Sequence, residues 1–539
     1  MTDIAREYKK LCPSVPIWVG GPEVSYEVEA FLRENPYIDG VMIGEGEDTF
    51  RELCGYYAHK RKLSDIAGIA FRKNSTGNST SNRTSVNNAG CKAGEIVFTS
   101  PRPIKNMSEI PFCYDTLDDF SNRIIYYESS RGCPFSCSYC LSSVDKTLRF
   151  RDTEIVKREL KFFIDQKVPQ IKFVDRTFNC NHAHAMELWR FIKANDNGVT
   201  NFHFEISADL LNQEELELIS DMRPGLIQLE IGVQSTNEVT IKEIHRTMKL
   251  ERLKEVVRLI QSGNNIHEHL DLIAGLPYED YDSFGRSFDE IYELKPNQLQ
   301  LGFLKVLKGS YMFEHAAEYG IVYHDKPPYE VMSTKWLSFD DVIKIKRVEE
   351  MLEVYYNSGQ FEITMKLMEC IFDSSFEFFQ ELGDFYEANG YFGMSHSRIR
   401  RCEILLEFLA LYLHGCDSDA ITSVGLSENH GDRDNTDFDE NAQIYKMIQE
   451  SLIFDLYYRE NCKSRPVWAT DIGSFKHMTH AYCKNGKLSH VEPFHYIFPD
   501  KHTRKLDELP KYHKEPVWAL FHYDMRDPLD HQALVEYIE

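Results

Sequence analysis

Apolar and polar positions alternate with a regular rhythm through the middle of the chain. Short apolar or alternating runs recur near residues 124–129, 170–175, 202–207, 226–232, 266–273 and 298–304, and each predicts a strand. The stretches between them carry apolar residues three and four apart. In the first of these, Val156, Leu160, Phe163 and Ile164 fall on one face, which predicts an amphipathic helix. Six strand–helix units in succession imply an α/β fold with a partial (β/α)6 barrel of the TIM type, whose chemistry sits at the carboxyl ends of the strands.

The flanks read differently. "VPIWVGG", "EVEAFLREN", "DGVMIGEGE" and "DTFRELCGYYAHK" follow one another before residue 60 and predict strand, helix, strand, helix. Gly20, Gly21, Gly44 and Gly46 lie just past the strand ends, where doubly wound sheets place ligands. Two strands are too few for an independent sheet, so this unit reads as a Rossmann-like domain truncated at its start. The run from Lys73 to Lys92 is almost wholly Ser, Thr, Asn and Gly and predicts a flexible loop. Past residue 305 long helical patterns dominate, among them "FDDVIKIKRVEEMLEVYYNS", and from about Arg465 short mixed segments such as "KEPVWALFHYD" predict strands. The expected division is a leading α/β segment over 1–65, a linker over 66–118, the barrel over 119–305 and a mainly helical extension over 306–539.

Composition narrows the function classes. At 539 residues the chain exceeds one ordinary core. Thirteen cysteines are too dilute for a disulfide scaffold, and the absence of a signal-peptide pattern predicts a cytoplasmic protein with reduced thiols. No run approaches the roughly 20 apolar residues of a membrane helix. With 85 acidic against 61 basic residues, a net charge of -24 counts against a broad nucleic-acid surface.

The candidate chemistry is in "RGCPFSCSYC", residues 131–140, which follows the first barrel strand. Cys133, Cys137 and Cys140 are spaced three and then two residues apart, unlike paired C-x-x-C zinc knuckles. Three thiolates can hold three irons of a 4Fe-4S cluster and leave the fourth open to a ligand. A zinc site completed by a distant histidine, or a set of buried inert thiols, are the plainer alternatives.

The C-x3-C-x2-C spacing, with Tyr139 before the last cysteine, resembles the signature of the radical S-adenosylmethionine (radical SAM) enzymes. "FVDRTFN" (173–179), "LEIGVQSTN" (229–237), "IHR" (244–246) and "DLIAGLPYED" (271–280) resemble that family's later segments in order and spacing. The resemblance implies that Cys133, Cys137 and Cys140 ligate the cluster and that Tyr139, Glu205, Gln234, Arg246 and Asp271 contact S-adenosyl-L-methionine. It implies reductive cleavage of that cofactor to methionine and a 5'-deoxyadenosyl radical. It also implies a flavodoxin- or ferredoxin-like electron donor and a small-molecule or peptide substrate. "WVGGPEVS" and "VMIGEGEDTFREL" resemble the end of a cobalamin-binding domain. The Asp-x-His-x-x-Gly loop of that domain and its earlier strands are lacking, which counts against cobalamin binding by the chain as it stands. "LGFLKVLKGS" and "KPPYEVMSTKWLS" resemble an uncharacterised carboxyl-terminal extension in one branch of these proteins.

Two other classes share some of these features. An RNA-modifying methylthiotransferase would carry a second cysteine triad, whereas Cys12, Cys54, Cys91 and Cys113 stand singly. A non-catalytic metal-binding module would not need the cofactor-binding segments in register with the cysteines.

Overall fold

A computed structural model describes residues 2–73, 95–114, 116–117, 120, 123–144, 146–414, 436–483, 488–499, 503, 506 and 508–538. The Ser/Thr/Asn/Gly-rich run after Lys73, with Cys91, lies outside them.

The leading unit is a four-stranded sheet of β1 (Trp18–Gly20), β2 (Gly40–Met42), β3 (Ile69–Arg72) and β4 (Ile96–Phe98) in that spatial order. β1 and β2 are parallel, as their crossover through the helix Val28–Glu34 requires. β3 and β4 add antiparallel to β2 and come from the segment expected to be a linker. They supply the strands that the apolar pattern before residue 60 lacks.

The barrel follows. β5 (Ile125–Tyr127) leads into β6 (Ser130–Arg131), which pairs antiparallel with β7 (Arg149–Phe150) across the base of the cysteine loop. β8 (Gln170–Phe173), β9 (Asn201–Ile206), β10 (Ile227–Gln234), β11 (His267–Ala274) and β12 (Gln298–Phe303) complete a six-stranded sheet ordered β12-β11-β10-β9-β8-β5. Every neighbouring pair is parallel, and the expected strand positions are met within two residues at each end.

Along β10 burial alternates strictly: Ile227, Leu229, Ile231 and Val233 are buried, while Gln228, Glu230, Gly232 and Gln234 are half-buried. The apolar face packs under the helices. Trp189 of the helix His182–Ala194 meets Phe178 and Phe204, and Phe204 meets Phe173 on β8. The other face is polar on β8 to β12, so the concave side of the sheet is a polar lumen rather than a packed core.

After β12 the short pair β13 (Val322–Tyr323) and β14 (Val331–Ser333) leads into helices Phe339–Leu352, Glu362–Ile371, Ser375–Ala388, Arg398–His414 and Thr436–Arg459. An antiparallel sheet of β15 (Ser489–Phe494), β16 (Val517–Arg526) and β17 (Ala533–Ile538) closes the chain. This region is fused to the barrel. Asn357 accepts from the Leu299 N–H at 2.9 Å and donates to its carbonyl at 2.8 Å, pairing the edge strand β12 as another strand would. Asp289, on the last barrel helix, accepts from the Phe376 N–H at 2.8 Å and the Ser374 hydroxyl at 2.7 Å at the start of the helix Ser375–Ala388.

Candidate active site

The cysteine loop hangs from a fixed frame. Asp175, fully buried just past β8, accepts from the Ser129 N–H at 2.9 Å, its hydroxyl at 2.7 Å and the Ser130 hydroxyl at 2.5 Å. Burial pushes the Asp175 carboxyl up to about 6 against those bonds. Gly132 opens the loop at φ 95°, and a Cβ there would lie 2.5 Å from the Thr147 carbonyl oxygen; only glycine fits. Further along, the Ser138 N–H donates to Ile244 O at 2.9 Å, and the Ser138 carbonyl accepts from the Met312 N–H at 2.9 Å. The middle of the loop is therefore pinned from both sides.

Cys133 is buried, and Cys137 and Cys140 are half-buried at the carboxyl end of the sheet. Burial pushes the Cys133 thiol up, and the nearby Cys140 and Cys137 sulfurs push it further against bonds from the Phe135 backbone and Thr177. Among the described residues no three His, Cys, Asp or Glu side chains converge on a single-ion position.

Arg246 joins this loop to the barrel. Its Nη1 lies 3.3 Å from the Tyr139 hydroxyl and 3.9 Å from the Cys137 sulfur, and Nη2 donates to the Gly232 carbonyl. Burial raises the Tyr139 hydroxyl against the Arg246 charge, so a neutral phenol accepts from Arg246. Gln234 ends β10 at φ 78°. Gln234 Oε1, Arg246 Nε and Ser138 Oγ are buried without a hydrogen-bond partner. Buried polar atoms are rarely left so, and their convergence beside the cysteine loop fits a polar ligand such as adenosylmethionine.

Glu205 and Asp271 stand in the lumen below. In the parallel register Glu205 lies opposite Glu230, His269 opposite Glu230, and Asp271 opposite Gly232. Lys172 Nζ is 2.8 Å and His203 Nε2 2.9 Å from Glu230 Oε2. The His203 bond, followed by the Lys172 bond and charge, holds the Glu230 carboxyl down to about 2 against burial. Burial, and then the Glu230 charge, raise Glu205. Burial, followed by Glu230 and Glu205, raises Asp271 well above the carboxylate range, with Arg246 opposing. The structure thus brings all eight predicted residues to the carboxyl half of the sheet, with Tyr139, Cys137 and Arg246 in direct contact.

Sequence reasoning missed Asp175, Lys172, His203, Glu230 and His269. Asp175 and Glu230 sit inside the quoted segments "FVDRTFN" and "LEIGVQSTN", and the alternation of "IQLEIGVQ" was the signal for a polar row.

Residues 127–291 match the Radical SAM superfamily, a span that contains the three cysteines and all five other predicted contacts. The chain carries a radical SAM domain. It is preceded by a match to a B12 binding domain over residues 1–54 and followed by one to a protein of unknown function, DUF4080, over 317–532. An uncharacterised methyltransferase of Pyrococcus horikoshii is 24% identical over 353 residues, which cover 64% of this chain and 71% of that protein. The cobalamin-dependent radical SAM methyltransferase TokK of Streptomyces tokunonensis is 26% identical over 313 residues, 54% of this chain and 42% of TokK. The solved apo structure of OxsB, a cobalamin-dependent S-adenosylmethionine radical enzyme, aligns over 85% of this chain and 70% of OxsB at 16% identity and TM-score 0.50, a likeness of fold. The radical SAM domain thus sits between two flanking matches, as the leading and trailing resemblances in the sequence anticipated. Among the described residues no helix is long and apolar enough to cross a membrane.

Proposed function

We propose that Cys133, Cys137 and Cys140 would hold a 4Fe-4S cluster at which one S-adenosylmethionine is reductively cleaved, that the resulting radical removes a hydrogen atom from a substrate carbon, and that the methyl group placed on that carbon comes from a second S-adenosylmethionine. The cluster supplies the electron and the open iron site, and the cofactor supplies the radical chemistry. The residues bind and orient. Arg246 and Gln234 offer buried, unsatisfied polar atoms to the cofactor, Arg246 suits a carboxylate partner, and Glu205 and Asp271 suit hydroxyl or ammonium donors. Tyr139 holds Arg246 beside the loop.

The observation that carries this reading is the convergence of a three-thiol loop with orphaned buried atoms of Gln234, Arg246 and Ser138. Anaerobic reconstitution with iron and sulfide, then incubation with adenosylmethionine and a reductant, should yield methionine and 5'-deoxyadenosine. Stoichiometric zinc in place of iron after reconstitution would sink it.

Methyl transfer and cobalamin rest on separate support: the B12 binding domain match and two relatives named as methyltransferases. The turn after β2 also reaches the cysteine loop. Glu45 pairs with Arg149 at 2.7 Å and Arg131 at 3.1 Å, and Glu47 with Arg131 at 2.9 Å. Titration with hydroxocobalamin decides it: near-stoichiometric binding would overturn the expectation set by the missing loop and strands and add cobalamin to the reading, and none at micromolar protein would remove it and leave the cluster chemistry standing.

A further inference from the structure

A cavity of about 400 Å³ lies at the amino-terminal end of the barrel strands, opposite the cysteine loop. One wall comes from the barrel, where His267 begins β11 and Lys295 precedes β12. The other comes from the extension, through Asn357, Lys366, Arg459 and Gln532. The backbone around it is irregular. Glu353–Asn357 forms a π-turn where the helix Phe339–Leu352 ends, and Asn264, Lys295 and His531 hold left-handed φ angles of 47°, 53° and 62°. Such conformations persist where surrounding structure enforces them and often mark functional sites.

The polar groups define what could enter. Gln532 is 3% exposed; its Nε2 donates to Glu362, while its Oε1 is buried with no partner. His267 Nδ1 is likewise buried and unpartnered. Two cations of the wall are already matched, Lys295 with Glu369 at 2.8 Å and Lys366 with Glu362 at 3.0 Å. Arg459 is not: it donates to the Gly359 carbonyl at 3.2 Å and makes no ion pair with a carboxylate among the described residues. Asp530, the third acid of the lining, accepts from the Gln532 N–H at 2.9 Å.

We propose that this cavity binds a free α-amino acid. The carboxylate of the ligand complements Arg459, and its ammonium complements the unpartnered Gln532 oxygen. Lys295, Lys366 and Arg459 balance Glu362, Glu369 and Asp530, so a zwitterion enters without leaving a net charge uncompensated. The volume lies in the range of small-molecule sites. The site is independent of the cluster and of its cofactor, which lie at the other end of the strands.

The test uses the full chain and the twenty common L-amino acids as probes, read by calorimetry and thermal shift, with inorganic phosphate as a pure-anion control. At least one amino acid should bind in a 1:1 complex, with affinity unchanged by Cys133→Ala and by Arg246→Ala, which impair the cluster end of the barrel. Arg459→Gln, on an exposed side chain, should weaken it at least about tenfold, the loss of one charge-assisted hydrogen bond. Gln532→Leu should weaken it further. The proposal is overturned if no amino acid binds at millimolar concentration or if phosphate binds as well as any amino acid. It is equally overturned if Cys133→Ala or Arg246→Ala abolishes amino-acid binding, which would place the ligand at the cluster end, or if Arg459→Gln leaves its affinity intact.

Discussion

Arg246 touches the Cys137 sulfur, the Tyr139 hydroxyl and the Gly232 carbonyl at once, so its removal separates two functions of the site. Arg246→Ala should weaken adenosylmethionine binding by about 1.5 to 3 kcal/mol, the scale of a charge-assisted hydrogen bond, while the three thiols still assemble a cluster. Replacing Cys133, Cys137 or Cys140 with Ala should instead abolish the broad iron-sulfur absorbance and all cofactor cleavage. Equilibrium binding and the absorption spectrum of each reconstituted variant check the contrast; a cysteine variant with full absorbance would break the assignment. Asp175 acts one step further back. Asp175→Asn turns one of its acceptors into a donor facing the donors of Ser129 and Ser130, which should cost about 1 to 3 kcal/mol of stability in a urea melt. The cysteines, Tyr139 and Arg246 could be read from the sequence because each lies in a short motif whose chemistry is local. Asp175 could not, because its partners stand 45 and 46 residues earlier in the chain and nothing in its own surroundings marks them.

The strands β8 to β12 share one device, a polar row on the lumen side, and it links the element pattern to a pH dependence. Glu230 on β10 is held by His203 on β9 and Lys172 on β8, which keep its carboxyl at about 2 in the folded chain against roughly 4.3 when unfolded. A lowered carboxyl contributes stability that is complete above the unfolded value and is lost as pH falls toward the folded one. The stability gap between the protein and Glu230→Gln should therefore be constant above about pH 5 and close progressively toward pH 2. Urea melts of both across that window measure it, and a gap that does not change with pH would exclude Glu230 as the acceptor. The strands themselves were legible because β10 reads polar and apolar by turns, "IQLEIGVQ". The role of the polar row was not, since register sets which polar residue meets which, and a one-residue slip would exchange the two faces. The same limit hid β3 and β4, which are short and separated in sequence by a polar run.

At the scale of the whole chain, the barrel and the extension divide in sequence but not in packing. One continuous core runs from Ile125 on β5 through Leu299 and Phe303 on β12 to Phe379, Leu456 and Phe521. Asn357 supplies the missing partner of β12, Asp289 caps a helix of the extension, and Val331 fills the space over Gly275, where a Cβ would meet its Cγ1 at 2.7 Å. The leading unit docks as closely: a Cβ on Gly309, whose φ is 86°, would overlap the Tyr26 ring at 2.3 Å, and Tyr329 donates to Glu23. A barrel cut free at residue 305 would expose an unpaired edge strand and the apolar faces of β12 and of the helix Tyr281–Tyr292, which is the profile of an aggregating species. Residues 1–305 alone should therefore fail to give a cooperative melt, whereas the full chain should unfold its barrel and extension in one transition. Calorimetry of the two chains distinguishes the cases. Two separated transitions in the full chain, with the earlier one matched by a folded 1–305 fragment, would show that the extension is an independent domain and that its contacts with β12 contribute little.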